Sequence, residues 1–257
     1  MNEYGMSSLF LLEGEEKALL IDTGTGSFDI PELVRSLTDK PLLVALTHGH
    51  LDHAGGIGQF DEVHLRPEDW VLARSVTLSR RKEYAARLLS LSGSLFSAAP
   101  EDLIPGENCT VFRPMPESFD LGKRKVIAVP TPGHTPGGAS FICQKERLLF
   151  SGDACNSHML LTGKDIPGFR EENSLAGLIS TCQKLISLKP LYDRNFNGHV
   201  SYGSSLDVLP QQESVPYDLM RLAGDILSGK EKGHRDGEWS ASYGAVSIRI
   251  RPDGSSR

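Results

Sequence analysis

The chain has 257 residues, 39% of them hydrophobic and 23% charged, with a formal net charge of −6. That length supports a sizeable buried core in an ordinary globular balance, which excludes disorder and fibrous repeats. The acidic charge argues against broad phosphate-backbone binding, and no apolar stretch is long enough to cross a bilayer. Nucleic acid and membrane are therefore not expected as partners. With no basic segment and long apolar run at the start, a signal peptide is not read either, and the cytoplasm is the expected compartment.

Leu9–Leu12 and Lys17–Ile21 read as two strands joined by a Gly14 turn, the second ending in the Gly-rich break Asp22-Thr23-Gly24-Thr25-Gly26. Ile30–Leu37, with Pro31 near its start, reads as a short amphipathic helix. Leu42–Leu46 is a continuous apolar run, as expected of a strand covered on both faces. From Pro67 to Phe96 the spacing of Tyr84, Leu88, Leu91 and Leu95 is helical, closed off by Pro100 and Pro105. Val111–Phe112, Phe119–Leu121, Val126–Val129, Ser140–Cys143 and Arg147–Phe150 are strand-like. Helices are expected over Leu175–Leu188 and Tyr217–Leu227, and a last strand over Tyr243–Ile250. The order suggests two β-rich halves with helices outside, a layered α/β sandwich in a single domain over residues 1–257. Segment 67–105 is expected to cap a cleft or pack on the sandwich. The four cysteines, Cys109, Cys143, Cys155 and Cys182, are scattered without a thiolate metal-site spacing and read as small buried apolar groups, with Cys155 set apart because it lies two residues from Asp153.

The strongest chemical signal is His48-Gly49-His50-Leu51-Asp52-His53, immediately after the apolar strand. Three of the chain's eight histidines and a carboxylate crowd into six consecutive residues. Imidazole nitrogen and carboxylate oxygen are the ligand set of catalytic zinc and related borderline metals. On a turn, His48 and His50 can share one metal while Asp52 and His53 point at a second. Gly49, Gly55 and Gly56 are expected to let the backbone turn tightly there. His134 and His199 each follow a glycine in a strand-end loop, and Asp153 follows Gly152.

This run, followed in order by Gly-His, Gly-Asp and Gly-His, resembles the metallo-β-lactamase superfamily over residues 9 to 203. The resemblance implies a four-layer αββα sandwich with a metal site at one edge. Carried over by position, His48, His50 and His134 would bind one metal and Asp52, His53 and His199 a second. Asp153 would bridge the two together with a hydroxide, the nucleophile. Asp22 matches the family's upstream aspartate, usually a structural group beside the ligands, and would orient a ligand histidine. The catalytic candidates are thus Asp52, Asp153 and Asp22.

Within the superfamily, Asp153 argues against antibiotic hydrolysis and His50 against the flavodiiron branch. The glyoxalase-II-like group remains: a hydrolase of a small ester, thioester or lactone with two divalent ions, zinc first, manganese or iron as substitutes. The alternatives are a mononuclear iron dioxygenase acting on a thiol or persulfide, a phosphodiesterase, and a non-enzymatic metal-binding module. The expected partner is a small-molecule substrate, with a homodimer left open. Asn156, His158, Phe169, Arg170 and Tyr202, on loops next to the proposed ligands, are the candidate substrate contacts.

Overall fold

The computed structural model describes residues 7–92, 100–106, 110–163, 166–199, 210–236 and 238–251. The chain divides into two compact units, Met1–Lys125 with His199–Val208, and Val126–Gly198 with Leu209–Arg257.

The first unit is built on a sheet ordered β1-β2-β3-β4-β5, comprising Phe10–Glu13, Ala18–Ile21, Leu42–Ala45, Glu62–His64 and Val111–Arg113. β1 and β2 form an antiparallel hairpin, and the remaining neighbours pair in parallel. All four residues of β2 are buried, the burial a strand covered on both faces requires. Helix α1 (Ile30–Leu37) makes the crossover from β2 to β3. It starts where Asp29 accepts a 2.7 Å bond from the Glu32 amide, carries Pro31 in its first turn, and buries Ile30 and Val34. With Leu20, Val44, Leu46, Ile57, Val63 and Leu65 these residues form the unit's core. The crossover pairs Ile21 with Ala45, so the chains leaving β2 and β3 emerge side by side. Helices α2 (Leu51–Ala54), α3 (Trp70–Arg74) and α4 (Leu78–Ser92) and strand β6 (Ser118–Asp120) complete the unit.

The helical stretch expected from Pro67 is interrupted between α3 and α4, and its last residues, Leu95 and Phe96, lie outside the described residues. The break has a local cause. The Ser75 hydroxyl bonds back to the Leu72 carbonyl at 2.7 Å, and the Thr77 hydroxyl accepts from the Arg80 amide at 3.3 Å, starting a new helix.

The second unit contains β7 (Lys125–Pro130), β8 (Ala139–Cys143), β9 (Leu148–Gly152), β10 (His158–Thr162), α5 (Glu171–Ser187), β11 (Arg194–Asn197) and α6 (Val215–Leu227). It closes with β12 (His234–Asp236), β13 (Glu238–Tyr243) and β14 (Val246–Arg251). One sheet runs β11-β9-β8-β7 and another β10-β14-β13-β12. Leu178, Leu185, Leu219 and Leu222 of α5 and α6 share a core with Ile142 and Leu149 of the first sheet and Met159 and Ile248 of the second. Cys155 and Cys182 lie fully buried in that core, and a hydrogen bond between their thiols together with burial pushes the Cys182 thiol up. These are packing groups; Cys109 lies outside the described residues. No helix among the described residues is long and apolar enough to cross a membrane.

Candidate metal centre

Because β2 and β3 end together, Asp22 and Thr47 meet just beyond them. Asp22 Oδ1 accepts the Thr47 amide at 2.7 Å, and Oδ2 accepts the Thr47 hydroxyl at 2.8 Å. The backbone of Asp22 is left-handed, with φ 63°, a conformation aspartate tolerates better than most residues. The chain then runs through His48 and Gly49 to His50, which precedes α2 and whose carbonyl accepts the His53 and Ala54 amides. This one-turn helix carries Asp52 and His53. His53 is fully buried, and its Nδ1 lies 2.9 Å from Asp22 Oδ2.

A carboxylate can only accept, so the Asp22 contact puts the His53 proton on Nδ1 and the lone pair on Nε2. The same logic extends to His48. The Thr47 hydroxyl donates to Asp22 and therefore accepts from His48 Nδ1, 3.1 Å away. One buried carboxylate thus sets the tautomer of two imidazoles, one directly and one through a hydroxyl. The rings of His48 and His50 lie 4.9 Å apart, those of His48 and His53 4.2 Å, and those of His53 and His199 5.2 Å.

The spacing of donor atoms suits a cation. Asp52 Oδ2 is 3.9 Å from His53 Nε2 and 3.7 Å from His199 Nε2, and one donor atom from each of the three lies within 4.8 Å of the others. Two ligands of one tetrahedral ion, each about 2.1 Å from it, stand about 3.4 Å apart. Small inward movements would close this triad on a divalent ion, and its nitrogen and oxygen donors fit the borderline metals.

In the second unit His134 Nε2 stands 3.5 Å from Asp153 Oδ2. The Leu160 carbonyl, on β10, lies 2.7 Å from His134 Nδ1 and so holds the proton there, again leaving the lone pair on Nε2. Asp153 sits on the turn after β9. The same turn continues to Asn156, whose side-chain oxygen accepts the His158 amide at 3.0 Å and so shapes the backbone. His158 is exposed, with Nδ1 3.0 Å from the Ser247 hydroxyl. Phe169 packs on the core of α5 and α6, Arg170 stands exposed before the first turn of α5, and Tyr202 lies outside the described residues.

Three contributors escaped the sequence reading. Asp69 is completely buried and accepts the Gly49 amide on Oδ2 at 3.0 Å, clamping the loop between His48 and His50. Thr47 carries the relay to His48, and Tyr84 of α4 reaches Asp52 with its hydroxyl. The glycines serve the loop by close approach, since Gly55 and Gly56 have φ of −64° and −91°, which any residue adopts. A Cβ on Gly55 would stand 2.6 Å from the Thr25 backbone.

Comparison with known proteins agrees with this geometry. The family model described as the metallo-beta-lactamase superfamily matches residues 3–207. The chain belongs to the metallo-β-lactamase superfamily. Members similar to it include the acyl-coenzyme A thioesterase MBLAC2 of Bos taurus, 29% identical over 95% of this chain and 87% of that protein. The probable metallo-hydrolase YqgX of Bacillus subtilis is 28% identical over 82% of this chain and 92% of its own length. Among solved structures, the Rm3 metallo-beta-lactamase aligns with a TM-score of 0.52 at 21% identity, covering 88% of this chain and 87% of that one. The metallo-beta-lactamase from Pontibacter korlensis likewise gives 0.52 at 17% identity over 85% and 87%. The fold is the superfamily's α/β sandwich, and the protein is a metal-binding hydrolase of that superfamily.

Proposed function

We propose that this protein hydrolyses an acyl thioester with two divalent cations, zinc first and manganese or iron as substitutes, held by His48, His50, Asp52, His53, His134, Asp153 and His199. The observation that carries the reading is the triad of Asp52, His53 and His199 at ligand spacing, in a chain that aligns over 95% of its length with a protein named an acyl-coenzyme A thioesterase.

When bound, the cations supply an acidified water as nucleophile and polarise the acyl carbonyl. The chain's own residues prepare that chemistry. Asp22 and the Leu160 carbonyl keep the protons of His53 and His134 on Nδ1, so each ring presents Nε2. Asp153 would lend a carboxylate to both cations. Asp52 keeps one-fifth of its side chain exposed. A thiol has a pKa near 8.5, so sulfur leaves as thiolate at neutral pH without a proton donor, and a thioester suits a site whose assembled groups are ligands. His158 and Arg170, both exposed, are the proposed substrate contacts.

The test combines elemental analysis of the purified protein with a substrate panel of acyl-CoA thioesters, simple esters, lactones and a generic phosphodiester. Two metal equivalents, a reduced count in Asp153→Ala, and thiol release from acyl-CoA at least tenfold faster than turnover of the other classes are expected. One equivalent of iron unaffected by Asp153→Ala, with oxygen uptake on thiols, would overturn the hydrolytic reading in favour of a dioxygenase.

A further inference from the structure

Helix α4 brings two residues to the metal loop from the same side, Arg81 and Tyr84, three positions apart and hence one above the other. Arg81 is only 3% exposed. Its Nε donates to the Thr25 carbonyl at 2.8 Å, and Nη2 donates to the Gly26 and Ile104 carbonyls, both at 2.9 Å. Burial lowers its pKa below the ordinary guanidinium value, but arginine keeps its charge in proteins. Charge-assisted bonds to three backbone carbonyls are strong, and a side chain at Gly26 would occupy the place of the guanidinium.

Two of the carbonyls that Arg81 grips, those of Thr25 and Gly26, belong to the loop that also buttresses α2. The Gly55 amide donates to the Gly24 carbonyl at 2.7 Å, and the Thr23 amide to the His53 carbonyl at 2.8 Å. One turn along α4, the Tyr84 hydroxyl stands 3.4 Å from Asp52 Oδ2. That is the same oxygen that faces His53 and His199. The helix is therefore fastened to the backbone beneath the ligands at one residue and touches a ligand carboxylate at the other.

We propose that Tyr84 is a positioning residue for Asp52, and that Arg81 fixes α4 as a rigid wall of the metal site so that the hydroxyl stays in place. This rests on the reading that Asp52 is a metal ligand. A hydroxyl donating to a ligand carboxylate restricts its rotation and tunes its donor strength, and removing such a partner weakens metal binding. At 3.4 Å the bond is long, which puts the effect at the lower end, about tenfold.

The experiment is a titration of metal-stripped full-length protein with Zn2+ against a chromophoric chelator, and with Co2+ followed by its d–d absorption. In Tyr84→Phe one of the two equivalents should lose about tenfold in affinity, with a changed Co2+ spectrum for that equivalent alone and unchanged thermal unfolding of the metal-stripped protein. Arg81→Lys, which keeps the charge but replaces the guanidinium fork with a single ammonium nitrogen, should weaken the same equivalent. In the double variant the two losses should fall well short of multiplying, because both act through one hydroxyl. Arg81→Met serves as a second, stronger variant if Lys restores the anchoring in full. Unchanged affinity and spectrum in Tyr84→Phe, or losses that multiply in full, would overturn the proposal. Asp52→Ala separates the two levels: if it removes one equivalent while Tyr84→Phe does nothing, only the role of Tyr84 falls. If Asp52→Ala leaves both equivalents in place, the ligand reading falls and this proposal with it.

Discussion

Asp22 organises the donor loop of the first unit with three accepted hydrogen bonds, two from Thr47 and one from His53. Asp22→Asn keeps the shape and changes the chemistry. With its single carbonyl oxygen taken by the Thr47 amide, the asparagine NH2 would face His53 Nδ1 and the Thr47 hydroxyl. His53 would then be driven to carry its proton on Nε2, where a metal needs a lone pair. Metal affinity should fall about 10–100-fold, read by chelator competition, with the folded near-ultraviolet spectrum retained. Affinity equal to that of the parent would show that Asp22 does not set the tautomer. At this scale the sequence was readable where the chemistry is contiguous. His48, His50, Asp52 and His53 declare themselves because donors crowd into one hexapeptide, and Asp22 because the family pattern includes it. Asp69, Arg81 and Tyr84 could not be seen, because an aspartate, arginine or tyrosine in a helical stretch takes its meaning only from the backbone or ligand that the fold brings against it.

Among the secondary-structure elements, α1 was legible with its ends, since Asp29, Pro31 and the apolar spacing of Ile30 and Val34 all act locally. β10 was not. Its core contains Met159-Leu160-Leu161, which shows no alternation, and its parallel partner β14 lies at the far end of the chain. Strands of that kind are specified by pairing, which a local window does not contain. The glycines after the ligand run carry the opposite lesson. They were expected to be needed for sharp turning, whereas the loop needs them for contact. Gly55→Ala adds a Cβ 2.6 Å from the main chain of Thr25, which has no flexible end to yield. The backbone would have to shift, at a cost of about 1–3 kcal/mol in unfolding free energy by urea titration. Since Thr25 is also gripped by Arg81, the metal equivalent assigned to Asp52 should lose affinity as well. An alanine variant as stable as the parent would mean that the Thr23–Gly26 loop yields at little cost.

Across the whole molecule, the proposed donors run from residue 48 to residue 199, and the unfolded chain holds no such set together. A cation that binds only the native state stabilises it by mass action, about 2.7 kcal/mol when the free ion stands at a hundred times its dissociation constant. For a chain of this size each kcal/mol shifts the midpoint by about 2–4 °C. Stripping with a chelator should therefore lower the unfolding midpoint by about 5–10 °C, and added Zn2+ should restore it in a concentration-dependent way. The pH dependence has a definite sign. Metal binding needs deprotonated imidazoles, whose ordinary pKa is about 6.5, so protons compete increasingly as the pH falls through that value. The difference in midpoint between loaded and stripped protein should be full at pH 7.5 to 8 and shrink steadily below about pH 6.5. The two curves should converge on the stripped protein's value. A gap that persists undiminished at pH 5 would show that the stabilising ion is held by carboxylates alone, and would remove the imidazoles from the proposed ligand set.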